Sequence, residues 1–240
     1  MRRSFLRADS LLADPVFNAA DERVTRHLDS LASVKQLSSE EDIKEAYVQT
    51  RGNISQLGRL LYTRNEAQAV RAGSPANETL LAFDFAATRN LAMSSALADY
   101  RIVHFATHGV LDNKHPELSG LVLSLVDQNG RPRAGFLSLQ DIYNMKLPAD
   151  LVVLSGCETA LGEEINGEGL IGLTRGFMSA GAPRVVASLW KVSDVATSFL
   201  MADFYKFMQK DNLRPGFVEE WRQPCAVTPF PLWSASLTVI

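Results

Sequence analysis

Short apolar segments of strand character alternate with helical segments along much of this chain, and that alternation most constrains its fold. Buried strands are predicted where apolar and β-branched residues run together, at residues 100–105, 150–154 and 184–189. Helices are predicted between and after these strands, at residues 88–97, 168–180 and 193–208. Because this order of elements is typical of a mainly parallel sheet covered by helices on both faces, we predict an α/β protein.

Other elements are predicted from local signals. Thr63 and Glu66 have the spacing of a capping box, which predicts a helix over residues 63–71. A short strand is predicted at residues 78–83, and the turn chemistry of residues 127–130 between two apolar runs predicts a hairpin. The first 60 residues are more polar, with helices expected over residues 20–31 and 40–49.

Charge and composition limit the classes of function. The chain has 24 basic and 27 acidic residues and a formal charge of −3, so no strong field attracts nucleic acid or an anionic membrane. It contains no apolar run of about 18 residues that would predict a membrane span. Two cysteines are too few for a disulfide framework, and we therefore expect a soluble, cytoplasmic protein.

Two side chains with reactive chemistry come shortly after predicted strands, and each has a glycine beside it. They are His108, before Gly109, and Cys157, after Gly156. Neighbouring parallel strands would bring them together at one edge of the sheet. A cysteine nucleophile needs a base or cation nearby, usually histidine, and the amides of Gly109 and Cys157 are natural donors to a developing oxyanion.

Each candidate also has a plainer interpretation. A lone cysteine at the end of a core strand is more often a small packed residue than a nucleophile. His104 is expected to be a buried, hydrogen-bonded core residue, whereas His27 and His115 are expected to be exposed. We expect no metal and no cofactor, because the sequence has neither zinc-site spacing nor a phosphate-loop pattern among the glycines of residues 167–176.

A series of short motifs resembles one known family. Residues 13–17 read Ala-Asp-Pro-Val-Phe, residues 104–109 read His-Phe-Ala-Thr-His-Gly, and residues 154–160 read Leu-Ser-Gly-Cys-Glu-Thr-Ala. Together with residues 167–170, 177–182 and 187–194, they are similar to the CHAT domain, a caspase-like domain often found after tetratricopeptide repeats. The resemblance covers roughly residues 11–208. It implies a caspase-like three-layer sandwich, related to separase, legumain and gingipain, with a His108/Cys157 pair.

The resemblance implies a cysteine endopeptidase that acts on a protein or peptide substrate. The Cys157 sulfur would attack the scissile carbonyl, and His108 would protonate the leaving amine. Residues 189–194 resemble a separase segment whose acidic residues favour a basic residue before the cut, so Asp194 is a candidate pocket acid. Glu158 and Trp190 are further pocket candidates.

These pocket residues have structural alternatives. Asp194 also fits a first-turn acid beside a Ser193 cap, because helix N-termini favour negative charge. Glu158 could cap or orient its loop, and Trp190 could pack in the core.

The motifs divide the chain into an N-terminal part at residues 1–60, a CHAT-like core at residues 61–208 and an irregular tail at residues 209–240. The tail departs from the family's closing helix and strand, and the sequence has no 34-residue repeats. A catalytically silent caspase-like interaction module therefore remains the alternative, with a repeat-containing or regulatory protein as partner. A nucleotide-binding α/β protein is a weaker alternative, since phosphate-loop motifs are missing.

Overall fold

A six-stranded sheet forms the centre of the protein. The computed structural model describes residues 7–32, 57–74, 77–112, 115–156, 168–188, 194–211 and 237–239. In chain order, the strands of this sheet are β1 (Arg7–Pro15), β2 (Thr79–Asp84), β3 (Tyr100–Ala106), β7 (Leu151–Leu154), β8 (Val185–Ser188) and β9 (Leu237–Val239). Their spatial order is β2-β1-β3-β7-β8-β9, with five parallel strands and β9 antiparallel to β8.

A second, three-stranded antiparallel sheet lies between β3 and β7 in the sequence. It consists of β4 (Gly109–Val110), β5 (Gly120–Val122) and β6 (Phe136–Ser138) in that spatial order. A turn with Gly130 at φ 76° connects β5 to β6. The predicted hairpin is therefore confirmed, and glycine fits there because few other residues adopt a left-handed backbone.

Helices cover both faces of the large sheet. They are α1 (Glu22–Ala32), α2 (Thr63–Ala72), α3 (Arg89–Ala92), α4 (Leu139–Asn144), α5 (Glu168–Ala180) and α6 (Asp194–Asp211), with 3-10 turns at Ser95–Asp99 and Pro116–Leu118. In the described ranges, none of these helices has both the length and the apolar character needed to cross a membrane.

Alternating strand residues build two core layers, one on each face of the sheet. On one face, Val103 and Phe105 of β3 pack in a cluster with residues of α4 and α5. On the other face, Ile102 and Ala106 pack in a cluster with residues of α2 and α6. Since successive strand residues point to opposite faces, this arrangement follows from the apolar run itself. The predicted α/β, caspase-like sandwich is confirmed.

Two local predictions differ from the structure. Thr63 and Glu66 do not form a capping box: the N-cap of α2 is Tyr62, with no side-chain cap, and Glu66 is buried. The predicted helix at residues 88–97 is divided, because α3 ends at Ala92 and a 3-10 turn begins at Ser95. The helix expected at residues 40–49 and the Ser193 cap lie outside the described residues.

Candidate active site

His108 lies just beyond the end of β3 and is buried. Its Nε2 atom is 2.7 Å from the carbonyl oxygen of Gly58. Because a carbonyl oxygen only accepts hydrogen bonds, Nε2 carries the proton and the basic lone pair of the neutral ring is on Nδ1. The Phe17 ring packs beside the imidazole, with the two centroids 5.0 Å apart. A backbone carbonyl and an aromatic ring thus fix both the tautomer and the plane of His108.

The end of β7 lies directly against the end of β3. The parallel register pairs Phe105 with Leu154, and the Ser155 amide donates to the Phe105 carbonyl at 3.2 Å. A Cβ built on Gly156 would lie 2.2 Å from the Thr107 oxygen, so only glycine fits this approach. The two strand ends predicted to be neighbours are neighbours.

Cys157, Glu158 and Trp190 lie outside the described residues. For these three candidates, the sequence-based roles remain predictions. The part that the structure describes reaches Gly156, the residue before Cys157, and resumes at α5.

Gly109 begins β4, at the edge of the small sheet. The Val122 amide donates to the His108 carbonyl at 2.9 Å, and Gly109 pairs with Leu121 at the next position. Antiparallel pairs alternate between hydrogen-bonded and non-hydrogen-bonded types, so the Gly109–Leu121 pair is of the second type. The Gly109 amide consequently points away from β5 and takes no part in the ladder between the two strands.

Asp194 is the first residue of α6 and is half-buried. Its Oδ2 accepts the Tyr62 amide at 2.9 Å, so it satisfies an N-terminal donor of α2 as well as lying in the first turn of its own helix. Burial raises the pKa of Asp194, and the nearby Glu66 carboxylate raises it further, while the Tyr62 hydrogen bond and His108 oppose this.

The segment of residues 57–62 was not predicted to belong to the site. Its Gly58 carbonyl contacts His108 and its Tyr62 amide contacts Asp194, so it joins two of the predicted site residues. Both contacts use backbone atoms, which no side-chain pattern reveals. The sequence offered no signal for this segment.

A buried polar cluster lies beneath the strand ends. His104 is fully buried, with Nδ1 3.0 Å from the Tyr205 hydroxyl and Nε2 2.9 Å from Ser155 Oγ, as expected of a hydrogen-bonded core residue. Glu66 Oε1 approaches the same Nε2 to 2.8 Å without an aligned hydrogen bond. Since Ser155 and Glu66 share one ring nitrogen instead of flanking the ring, the group is not a Ser-His-Glu triad.

Three arginines converge on one carboxylate at the end of β1. The Asp14 side chain is 0% exposed and accepts hydrogen bonds from Arg23, Arg59 and Arg64. Arg23 and Arg64 also bind Asp84, at the end of β2. Hydrogen bonding to Asp14 raises the pKa of Arg59. This network ties the residues before α2 to the ends of two strands.

The described part of the chain contains no cluster of three or more His, Cys, Asp or Glu side chains arranged to hold a metal ion. His115 is exposed beside Asp112, while His27 is partly buried on α1 rather than exposed as predicted.

Comparison with known proteins gives two findings. A family model for the CHAT domain matches residues 7–216. The chain is also similar to tetratricopeptide repeat protein 28 of Mus musculus, at 38% identity over 69 residues, and to its counterpart in Homo sapiens, at 36% over 69 residues. Each match covers 29% of this chain and 3% of the relative, so the chain spans a small fraction of those proteins.

Proposed function

This chain belongs to the CHAT domain family, and on that premise we propose that it is a cysteine endopeptidase that uses His108 and Cys157. The observation that carries the proposal is the buried His108 ring, held through Nε2 by the Gly58 carbonyl at the strand end next to β7. A fixed Nε2–H tautomer leaves Nδ1 as the atom that exchanges a proton during the reaction.

In the proposed reaction, the Cys157 thiol gives its proton to His108 Nδ1, and the resulting thiolate attacks the carbonyl carbon of the scissile peptide bond. The carbonyl π electrons move to oxygen, and the amides of Gly109 and Cys157 donate to the resulting oxyanion. The direction of the Gly109 amide, away from β5, supports that role.

The intermediate then collapses to an acyl-enzyme thioester. The C–N bond breaks, and His108 Nδ1 gives its proton to the leaving amine. Water, deprotonated by the same nitrogen, hydrolyses the thioester and regenerates the thiol. The Gly58 carbonyl accepts from Nε2–H throughout, which stabilises the imidazolium form of the ring.

Substrate selection is assigned to Asp194, Glu158 and Trp190. Asp194 is half-buried and carries a negative charge when ionised, which suits a basic side chain before the cut. We place the enzyme in the reducing cytoplasm, since a chain with two cysteines and a thiol nucleophile suits that compartment. The similarity to proteins named for tetratricopeptide repeats makes a repeat-containing protein the proposed partner.

Covalent labelling tests the proposal. A peptidyl acyloxymethyl ketone should modify the wild-type chain at Cys157, and Cys157→Ala should abolish the modification. His108→Ala should slow labelling by about 10²- to 10⁴-fold, the range of general acid-base catalysis. Equal labelling of wild type and Cys157→Ala would refute the proposal.

A catalytically silent interaction module is the second candidate. It is favoured by the Tyr62 amide, which donates to the Asp194 carboxylate, a group that the peptidase proposal reserves for substrate. For this candidate, folded monomeric protein would bind a partner at the strand ends beside His108 and remain inert towards a diverse peptide library. Cleavage of any library member that requires Cys157 would exclude it.

A further inference from the structure

We propose that Asp14 is a positioning residue for the candidate catalytic histidine, acting through Arg59 and the Gly58 carbonyl. The inference rests on the proposed peptidase function, because positioning His108 matters only if its ring transfers a proton. Asp14 itself contacts neither His108 nor β7, the strand that precedes Cys157, so its effect is indirect.

The backbone at the end of β1 sets the direction of the Asp14 carboxylate. The pairing of β1 with β2 is irregular between Ala13 and Pro15, and Asp14 has φ 48°. An irregularity of this kind redirects a side chain at a strand end, and aspartate tolerates the left-handed backbone better than most residues. The carboxylate is thereby aimed into the protein, where its side chain is 0% exposed.

Arg59 binds the Asp14 carboxylate through two hydrogen bonds. Arg59 Nε donates to Oδ1 at 2.8 Å and Nη2 donates to Oδ2 at 2.7 Å. This two-point geometry fixes the orientation of the guanidinium as well as its position, which a single-point lysine contact does not do.

Arg59 directly follows Gly58, whose carbonyl oxygen holds the His108 ring. Gly58 and Arg59 share one peptide unit, and residues 57–60 belong to no helix or strand. No side chain anchors Gly58, and the space that a Cβ would occupy there is open, with no atom within 4 Å. The position of the Gly58 carbonyl is therefore set by its neighbours.

Those neighbours are anchored on both sides. Leu57 is buried in an apolar cluster with Phe17 and Val110, while Arg59 is held by Asp14. Asp14 and Phe17 belong to the same five-residue motif, residues 13–17, and both act on His108: Phe17 packs against the ring and Asp14 anchors its carbonyl acceptor. Both residues of the motif therefore act to hold the His108 ring in one orientation.

The test measures the tautomer of His108 directly. In the 240-residue chain with ¹⁵N-labelled histidine, long-range proton–nitrogen spectra report which ring nitrogen carries the proton, and His108→Gln identifies the signals. Arg59→Ala should lower the ratio of Nε2–H to Nδ1–H about fivefold, because one hydrogen bond to the ring is weakened. Arg59→Lys keeps the positive charge but cannot form the two-point hydrogen bond to Asp14, so it should give a smaller shift in the same direction.

Arg64→Ala is the matched control. It also removes a hydrogen bond to Asp14, but Arg64 is on α2 and shares no peptide unit with Gly58. The His108 tautomer ratio in Arg64→Ala should stay within about twofold of wild type, because the two hydrogen bonds from Arg59 to Asp14 remain. All variants are compared at temperatures where circular dichroism shows them folded.

Kinetics supply the second readout. Arg59→Ala should lower kcat on peptide substrates by about 10- to 100-fold and change KM less than about twofold, because a displaced proton donor affects the chemical step. An unchanged tautomer ratio in Arg59→Ala, or an equal shift in Arg64→Ala, would overturn the inference. The tautomer measurement needs no turnover, so an inert wild-type chain would refute the peptidase function while leaving the positioning question decided by spectroscopy.

Discussion

The Nε2 atom of His108 lies 2.7 Å from the carbonyl oxygen of Gly58, a residue 50 positions earlier in the chain. The acceptor is a backbone atom, so no substitution at position 58 removes it. Its influence can be tested only through the residues that anchor the segment or through the glycines that allow strand ends to approach each other. This constraint determines which variants are informative.

The contact of Gly156 with Thr107 predicts that Gly156→Ala disturbs the junction of β3 and β7. A Cβ there would lie 2.2 Å from the Thr107 backbone oxygen, which cannot move without shifting the strand end. We expect a loss of about 1–3 kcal/mol in the free energy of unfolding, the usual cost of overpacking. Urea denaturation measures it.

Gly58→Ala is the control for stability, because its added methyl group meets no atom within 4 Å. Its free energy of unfolding should stay within about 0.5 kcal/mol of wild type. Equal stability of Gly156→Ala and Gly58→Ala would contradict the close contact between Gly156 and the Thr107 backbone.

The arginine cluster around Asp14 predicts a large stability loss for Asp14→Asn. Asparagine keeps the left-handed backbone at φ 48°, so the substitution tests the charge and not the conformation. Three arginines would lose their shared carboxylate, at a cost of about 2–5 kcal/mol; partial access of Arg59 and Arg64 to water favours the lower end. Guanidinium chloride is a salt that screens ion pairs, so the free energy of unfolding should be measured in urea.

Asp203→Asn is the matched control, since it removes an exposed carboxylate that pairs with Lys206. It should change the free energy of unfolding by less than about 0.5 kcal/mol. Comparable losses in the two variants would show that the Asp14 cluster is no stronger than a surface ion pair.

The Arg89–Asp141 pair predicts part of the acid sensitivity of the fold. Burial alone would raise the pKa of Asp141, but hydrogen bonds from Arg89 and Ser138 outweigh it and hold the pKa below the ordinary value of 3.8. Because the folded-state pKa is lower than the unfolded one, the stabilisation is complete above the unfolded value and is lost as the pH falls through the folded value.

We therefore expect wild-type stability to fall more steeply below about pH 4 than that of Asp141→Asn. Urea midpoints between about pH 2.5 and 7 provide the measurement. Parallel curves for the two proteins would show that the pair does not contribute to acid unfolding. Asp203→Asn again serves as the comparison that removes one exposed carboxylate.

The parts of the fold set by local patterns could be predicted, and the parts set by long-range contacts could not. The apolar runs at β3 and β7 indicate buried parallel strands, which place the residues after each strand at one edge of the sheet. The same reasoning predicts a buried His104. The capping box predicted from the spacing of Thr63 and Glu66 is wrong, because a long-range contact overrides the local pattern. The Glu66 carboxylate is buried between α2 and the sheet, where it approaches His104.

The candidate site depends on local sequence patterns and on long-range contacts. The apolar strand before His108 identifies this residue in the sequence, whereas no sequence pattern connects Gly58, Arg59 or Asp14 to it. Their links are a backbone carbonyl and an ion pair 45 positions apart, and neither leaves a periodic pattern in the sequence. Prediction from the sequence therefore finds the reactive group more readily than the residues that orient it.

The last prediction concerns Asp194, whose carboxylate accepts the Tyr62 amide at 2.9 Å. Asp194→Asn keeps the shape and an oxygen that can accept that amide, so α2 and α6 should remain joined while the charge is lost. If Asp194 recognises a basic side chain, kcat/KM for substrates with arginine or lysine before the cut should fall about 10- to 100-fold. Labelling of Cys157 by a small neutral electrophile should change less than about twofold, because it bypasses the pocket.

The raised pKa of Asp194 adds a pH signature to the same experiment. Burial favours the protonated form, so the pocket charge appears only as the pH rises through a value above the ordinary 3.8. The preference of wild type for basic over neutral substrates should therefore increase with pH in that range, and Asp194→Asn should show no such increase. Matching pH profiles, or wild-type cleavage only after apolar residues, would show that Asp194 serves only to join the starts of α2 and α6.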